Sequence, residues 1–244
     1  MRNLLTAILV SGCVWRGDLG AQEEALGAVV GTVRLKVTPL PRPGKIPVDP
    51  QCAAILAGPL RSEETVTDAT GNLKWVFLRI TRGLEGREYP VPKEKVVLEQ
   101  VGCCYTPHVF GIRVGQTLLI RNGDPILHNI HGLPFDNKEW NWAQSFKGQE
   151  NEVRLLKPEA PFKIKCDVHT WMGSWAGVVD HPFFAVTDDT GRYSIRGLPP
   201  GKYTLSLWHE AWTTKAEKGD QQDFEVKAGE TRTVDFALDK RKGD

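Results

Sequence analysis

The chain has 244 residues, 41% of them hydrophobic, which is room for one large domain or two small ones with a real core. Lys and Arg number 31 against 30 Asp and Glu, and there is no basic block and no run of like charge, so nothing points to a nucleic acid or an acidic polymer as partner. The 24 Gly and 16 Pro are scattered, which suits frequent turns more than disorder.

The first segment reads as targeting rather than fold. Arg2 precedes an apolar stretch from Leu4 to Val10, far too short to span a bilayer but with the make-up of a signal peptide. Two cleavage readings compete within residues 1–21. Val10-Ser11-Gly12-Cys13 resembles a lipobox, which would make Cys13 a lipidated N-terminus and a membrane attachment; Leu19-Gly20-Ala21 offers cleavage after Ala21. Both imply export, to a periplasm or as an outer-membrane or cell-surface lipoprotein, where disulfides are allowed.

Residues 22–95 form a first β segment. Ala28 to Val37 reads as a strand with Val29, Val33, Leu35 and Val37 on one face. The Pro-rich stretch Pro39 to Pro50 is excluded from a helix or a central strand. Leu73 to Ile80 is apolar on both faces and reads as an inner strand, followed by a polar loop from Gly83 to Lys95. Residues 96–180 follow an all-β pattern. Phe110, Ile112 and Val114 alternate, Thr117 to Arg121 returns the chain, Phe162, Ile164 and Cys166 alternate, and Ala176 to Val179 is a short strand. In residues 181–239 turns come at short intervals, among them Asp188-Asp189-Thr190-Gly191 and Gly197-Leu198-Pro199-Pro200-Gly201. The expected fold is all-β, two sandwiches with little helix, and the strands before Val96 are candidates to pair with the last unit, which would make the middle unit an insertion.

One stretch carries chemistry. Cys166-Asp167-Val168-His169-Thr170-Trp171-Met172 offers a thiolate, an imidazole and a thioether on one short loop. A second imidazole is available at His128, where an extended Leu127-His128-Asn129-Ile130-His131 places His128 and Ile130 on one face and Asn129 and His131 on the other. A thiolate, two imidazoles and a weak axial thioether are what a blue copper site uses. A zinc site of the same ligands is the lesser reading, since a thioether serves zinc poorly.

Tyr105 to Asp124, with Pro107, Ile112, Val114, Gly115, Thr117, Asn122 and Asp124 in register, resembles the opening of plastocyanin-type cupredoxins, and Leu127-His128-Asn129-Ile130-His131 is similar to the corresponding run of amicyanins. The Cys-x-x-His-x-x-Met spacing is also the amicyanin one. The resemblance covers residues 96–180 and implies a cupredoxin Greek-key sandwich holding one type 1 copper through His128, Cys166, His169 and Met172. It further implies that Asn129 braces the ligand loops and that His169 reaches the surface in an apolar patch, making His169 and its neighbour Trp171 the electron port. The function implied is that of a one-electron carrier rather than an enzyme, with a redox protein such as a c-type cytochrome or a periplasmic dehydrogenase as partner. A copper chaperone or storage protein, and a structural or carbohydrate-binding surface protein, are the alternatives. The Cys166 loop lacks a second Cys and no His-Cys-His cluster occurs, so the site is expected to be mononuclear.

Four histidines remain: His108, His131, His181 and His209. His131 is a candidate neighbour of the ligands or, as the lesser reading, a ligand itself. His181 and His209, with Glu210, could form a second metal site, though structural roles at strand ends are favoured. Of Cys52, Cys103 and Cys104, two are expected to pair in an exported protein. Proteins of this layout carry Gly-Cys-x-Tyr-x-Pro-His, here Gly102 to His108, a resemblance that favours Cys103 as the partner of Cys52, with a vicinal Cys103–Cys104 bridge as the strained alternative. The run from Asp188 to Trp208 resembles the carboxypeptidase regulatory-like (transthyretin-like) sandwich, which implies a spacer or interaction module.

Overall fold

A computed structural model describes residues 25–213 and 220–243. The leader, with Cys13 and both cleavage points, lies outside the described residues. The elements in chain order are β1 (Gly27–Leu35), α1 (Pro50–Ile55), β2 (Phe77–Arg82), β3 (Val96–Gln100), β4 (Tyr105–Thr106), β5 (Val109–Arg113), β6 (Thr117–Asn122), β7 (His128–Leu133), β8 (Trp140–Gln144), β9 (Glu150–Arg154), β10 (Glu159–Lys165), β11 (Gly173–Val179), β12 (Phe184–Val186), β13 (Arg192–Leu198), β14 (Gly201–Trp208), β15 (Trp212–Thr213), β16 (Gln221–Val226), β17 (Thr231–Thr233), β18 (Phe236–Leu238) and β19 (Lys240–Arg241). No described helix is long and apolar enough to cross a membrane.

The middle strands make a sandwich of two sheets, one in the order β4-β3-β6-β9 and one in the order β5-β11-β10-β7-β8. Period-two alternation drives it: Leu98, Ile112, Leu118, Ile120, Ile130, Phe162 and Ile164 are all buried between the sheets in one core. At about 25 cal/mol for each Å² of apolar surface removed from water, such a core is the main force holding the ligand-bearing strands in place.

The second sandwich joins both ends of the chain. β1 pairs antiparallel with β13 and parallel with β17 and β18, while β2 lies between β12 and β14. Its core takes in Val29, Val33 and Leu35 of β1 together with Leu205, Phe224 and Leu238, which is why β1 alternates as the sequence requires. The middle unit therefore leaves and re-enters this sandwich between β2 and β12.

The two sandwiches meet on a flat strip. Gly111 of β5 and Gly177 of β11 are register partners, and their bare backbone accepts the rings of Phe77 and Phe184. A Cβ on Gly111 would lie 2.3 Å from Phe184, and one on Gly177 2.6 Å from Phe77. Val109 and Val179 complete this apolar seam.

Two expectations change. The strand expected from Leu73 begins only at Phe77, because Trp75 adopts a left-handed backbone (φ 66°) and the Leu73 and Lys74 amides donate to Val33 and Val66 in crossing contacts. Burial on both faces is satisfied there without a ladder. The Pro-rich stretch is irregular as expected, but it delivers α1, which the sequence pattern does not announce. Asp49 caps this helix by accepting the Cys52 amide at 2.8 Å, and Pro50 occupies the first turn, where its missing N–H costs nothing.

Candidate metal centre

β7 opens on His128, and its burial alternates strictly, with His128 and Ile130 inside and Asn129 and His131 outward. β10 ends at Lys165, which leaves Cys166 at the next inward position. The loop after it closes on itself: the Cys166 amide donates to the Met172 carbonyl at 3.2 Å, the Met172 amide to the His169 carbonyl at 2.9 Å, and the His169 amide to Cys166 Sγ at 3.3 Å. His128, Cys166, His169 and Met172 are each 2% exposed or less.

The donor atoms of His128, Cys166 and His169 lie within 4.8 Å of one another. His128 Nδ1 stands 3.0 Å from His169 Nδ1, and Cys166 Sγ 3.8 Å from the same nitrogen. The outer nitrogens are already engaged. His128 Nε2 meets Asp124 Oδ2 at 2.8 Å, and His169 Nε2 lies 3.2 Å from Asp49 Oδ2. A carboxylate accepts and cannot donate, so the bond to Asp124 keeps the His128 proton on Nε2 and turns its Nδ1 lone pair inward, while Asp49 stands against His169 as a close charge contact outside hydrogen-bond geometry. Two inner imidazole nitrogens and a buried sulfur converging on one point are an arrangement a metal ion satisfies. Two other donor groups can be drawn, one through Cys52 and one through Cys103, but those sulfurs are bonded to each other, so neither can offer a thiolate. Burial also pushes His128 below the usual imidazole range, against the pull of Asp124, which keeps its Nδ1 free to ligate.

The surrounding shell is built from side chains on neighbouring strands. Asn129 accepts the Asp167 amide at 3.1 Å and donates to Asn141 Oδ1 at 2.6 Å and the Trp142 carbonyl at 3.2 Å, tying the Cys166 loop to β7 and β8 as the resemblance implies. His131 is not a ligand: its nitrogens sit 2.9 Å from Asp167 and 2.7 Å from Glu139. With Lys165 and Asn141 it holds Asp167 down to about 2. Three neighbours had no role at the site assigned from the sequence. Tyr105, fully buried, donates from its hydroxyl to the Asn129 carbonyl at 2.5 Å. Asp124 accepts the Gly102 and Cys103 amides as well as His128; it is four residues from His128, a spacing that could have drawn attention. Asp49 is far away in sequence and left no signal.

The surface expectation for His169 changes. Its side chain is 3% exposed, because Asp49 roofs it and Trp171 packs on it with ring centroids 5.3 Å apart. Trp171 is half-buried and donates from Nε1 to the Cys103 carbonyl at 3.1 Å. Cys103 is bonded to Cys52, with Cα atoms 5.9 Å apart, which pins α1 against this end of the sandwich. Cys104 remains a free thiol, and burial pushes it up to about 11.

The possible second metal group does not form among the described residues. His181 accepts the Phe183 amide on Nδ1 and meets the Ile80 carbonyl with Nε2 at 2.8 Å. His209 accepts the Ala211 and Trp212 amides on Nδ1. Glu210 instead pairs with His108 at 2.5 Å and Trp175 at 2.9 Å across the seam between the sandwiches.

Comparisons with known proteins divide along the same line. Residues 179–239 match the model of the carboxypeptidase regulatory-like domain. No curated protein matches the sequence. Among solved structures, a copper-containing nitrite reductase from Thermus scotoductus is 18% identical over 56% of this chain, with a TM-score of 0.33, and the match spans 28% of that protein's length. A purple cupredoxin from Nitrosopumilus maritimus is 22% identical over 34% of this chain and 99% of its own (TM-score 0.30). Amicyanin from Paracoccus versutus is 19% identical over 42% of this chain and 97% of its own (TM-score 0.31).

Proposed function

We propose that this protein binds one type 1 copper ion through His128, Cys166, His169 and Met172 and serves as an exported one-electron carrier. The observation that carries the reading is the pair of inward-facing Nδ1 atoms 3.0 Å apart beside a buried free thiol, with a carboxylate standing behind each outer nitrogen. That donor set is soft and closed, which suits copper in electron transfer and leaves no position for substrate. Copper, when bound, supplies a couple that gains and loses one electron with little change of ligands.

The chain supplies the rest. Cys166 and the imidazoles of His128 and His169 would hold the ion, and Met172, buried in the same core, would offer it a thioether. Asn129 and the loop's own backbone bonds hold these residues in place. Burial keeps water out. Because His169 is covered, the route to solvent runs through Trp171, which packs on its imidazole and is itself half-buried. Val168 and Leu127, exposed beside these residues, put apolar side chains on a face that also carries Asp49. A weakly polar face of this kind suits a transient redox partner such as a c-type cytochrome or a periplasmic dehydrogenase. A net charge of +1 gives little long-range steering, so association is expected to depend mildly on salt.

Stopped-flow oxidation of the reduced copper protein by a small c-type cytochrome, at two ionic strengths, tests this. Trp171→Ala is expected to slow transfer severalfold while the visible spectrum stays nearly intact. Unchanged rates in a correctly folded variant would remove this face as the port.

A further inference from the structure

We propose that Asp49 is a positioning residue for His169: it fixes the ligand's tautomer, strengthens its hold on oxidised copper and roofs its outer edge. The proposal rests on the copper reading above and adds a residue to it. Asp49 divides its two oxygens between two tasks. Oδ1 caps α1 by accepting the Cys52 amide at 2.8 Å, and Oδ2 stands 3.2 Å from His169 Nε2. At the other imidazole Asp124 Oδ2 accepts a hydrogen bond from His128 Nε2 at 2.8 Å, a closer version of the same placement. Each imidazole thus has a carboxylate behind its outer nitrogen, bonded in one case and in close charge contact in the other.

The two carboxylates differ in how they are held. Asp124 is buried within the sandwich, whereas Asp49 arrives on a separate segment and is 39% exposed on the solvent side of an imidazole that is 3% exposed. What keeps it there is α1 itself: Cys52, three residues on, is bonded to Cys103, whose amide binds Asp124 and whose carbonyl binds Trp171. One short helix, its cap and its disulfide therefore form a single clamp over the ligand. A carboxylate that accepts the far N–H of a ligating imidazole raises the basicity of the metal-bound nitrogen, which favours the more highly charged copper state. Asp49 is expected to tighten Cu(II) binding and to lower the reduction potential.

Asp49→Ser separates this role from helix capping, since serine caps well but is too short to reach the imidazole. In the metal-free protein, nitrogen-detected NMR is expected to show His169 protonated on Nε2 in the wild type and a mixture of tautomers in Asp49→Ser. With copper, the same variant is expected to bind Cu(II) 10- to 100-fold more weakly, on the order usual for outer partners of metal ligands, and to show a raised reduction potential. Asp49→Asn, which keeps both cap and reach but loses the charge, should move the potential the same way by less, and it carries the test if the serine variant does not fold. A folded Asp49→Ser with wild-type tautomer and potential would overturn the proposal. The tautomer measurement needs no metal, so it stands even if copper loading fails and the functional reading with it.

Discussion

The two sandwiches each bury a pair of histidines at 8% exposure or less, and the pairs behave oppositely. In the second sandwich, His181 spends both nitrogens on the backbone of Ile80 and Phe183, and His209 uses Nδ1 to gather two amides of the turn that follows. Those rings replace missing ladder bonds. In the middle unit, His128 donates its outer N–H to Asp124 and His169 sets its outer nitrogen against Asp49, and the inner nitrogens face each other beside Cys166. Residue type and burial are the same in both units. His181 differs from this pair in where its second nitrogen goes, to a backbone group rather than into a space shared with a thiol, while His209 Nε2 is buried with no partner among the described residues.

Mutation should break the pairs in different currencies. His128→Ala is expected to abolish stoichiometric copper binding by calorimetry, whereas His181→Ala should leave binding intact and cost about 1–3 kcal/mol of stability through the freed Ile80 and Phe183 backbone groups. Copper loss in His181→Ala would erase the distinction. Next in size is the clamp: Cys52→Ala with Cys103→Ala removes a bridge between residues 51 apart, worth about 4 kcal/mol on the chain-entropy model, and denaturant titration would measure it.

Acid should also tell the units apart. Burial pushes His209 down to about 4 from an ordinary value of 6.5, so its contribution is present above the unfolded value and is lost as pH falls from 6.5 through 4, by about 3 kcal/mol in full. Replacing His209 with Gln should flatten that slope in a pH series of unfolding midpoints. The smallest effect is at the seam. Burial opposes protonation of His108, but the Glu210 carboxylate prevails and raises it, and Glu210 is lowered in turn by His108. The His108 share is lost as pH rises through its raised value, and the Glu210 share as pH falls through its lowered one, so the pair holds the sandwiches together most firmly between about pH 5 and 6. Glu210→Gln should cost about 2 kcal/mol there and less at pH 9.

Much of this was legible from residue order. The alternation in β7 fixed which of His128, Asn129, Ile130 and His131 face inward, and the inward register of Phe162, Ile164 and Cys166 placed the thiol, because period two leaves one choice once a face is buried. The pairing of Cys52 with Cys103 also agrees with the structure. The burial of His169 was not legible, because its roof comes from Asp49, on a helix of six residues whose only local mark is a cap followed by Pro. Nor was the late start of β2, where Trp75 takes a left-handed turn that apolar composition does not reveal. In both cases a long-range contact, not a local preference, decides the outcome.

If Cys166 is a thiolate ligand of a single copper ion, the visible and EPR spectra of the copper-loaded protein show it directly. The wild type is expected to bind one copper per chain, with an intense sulfur-to-copper charge-transfer band in the visible and narrow copper hyperfine splitting in EPR, both consequences of a covalent copper–thiolate bond. Cys166→Ser should lose both features. A Cys166→Ser protein that keeps the full visible band, or a wild type that binds copper with wide hyperfine splitting and no such band, would contradict the account.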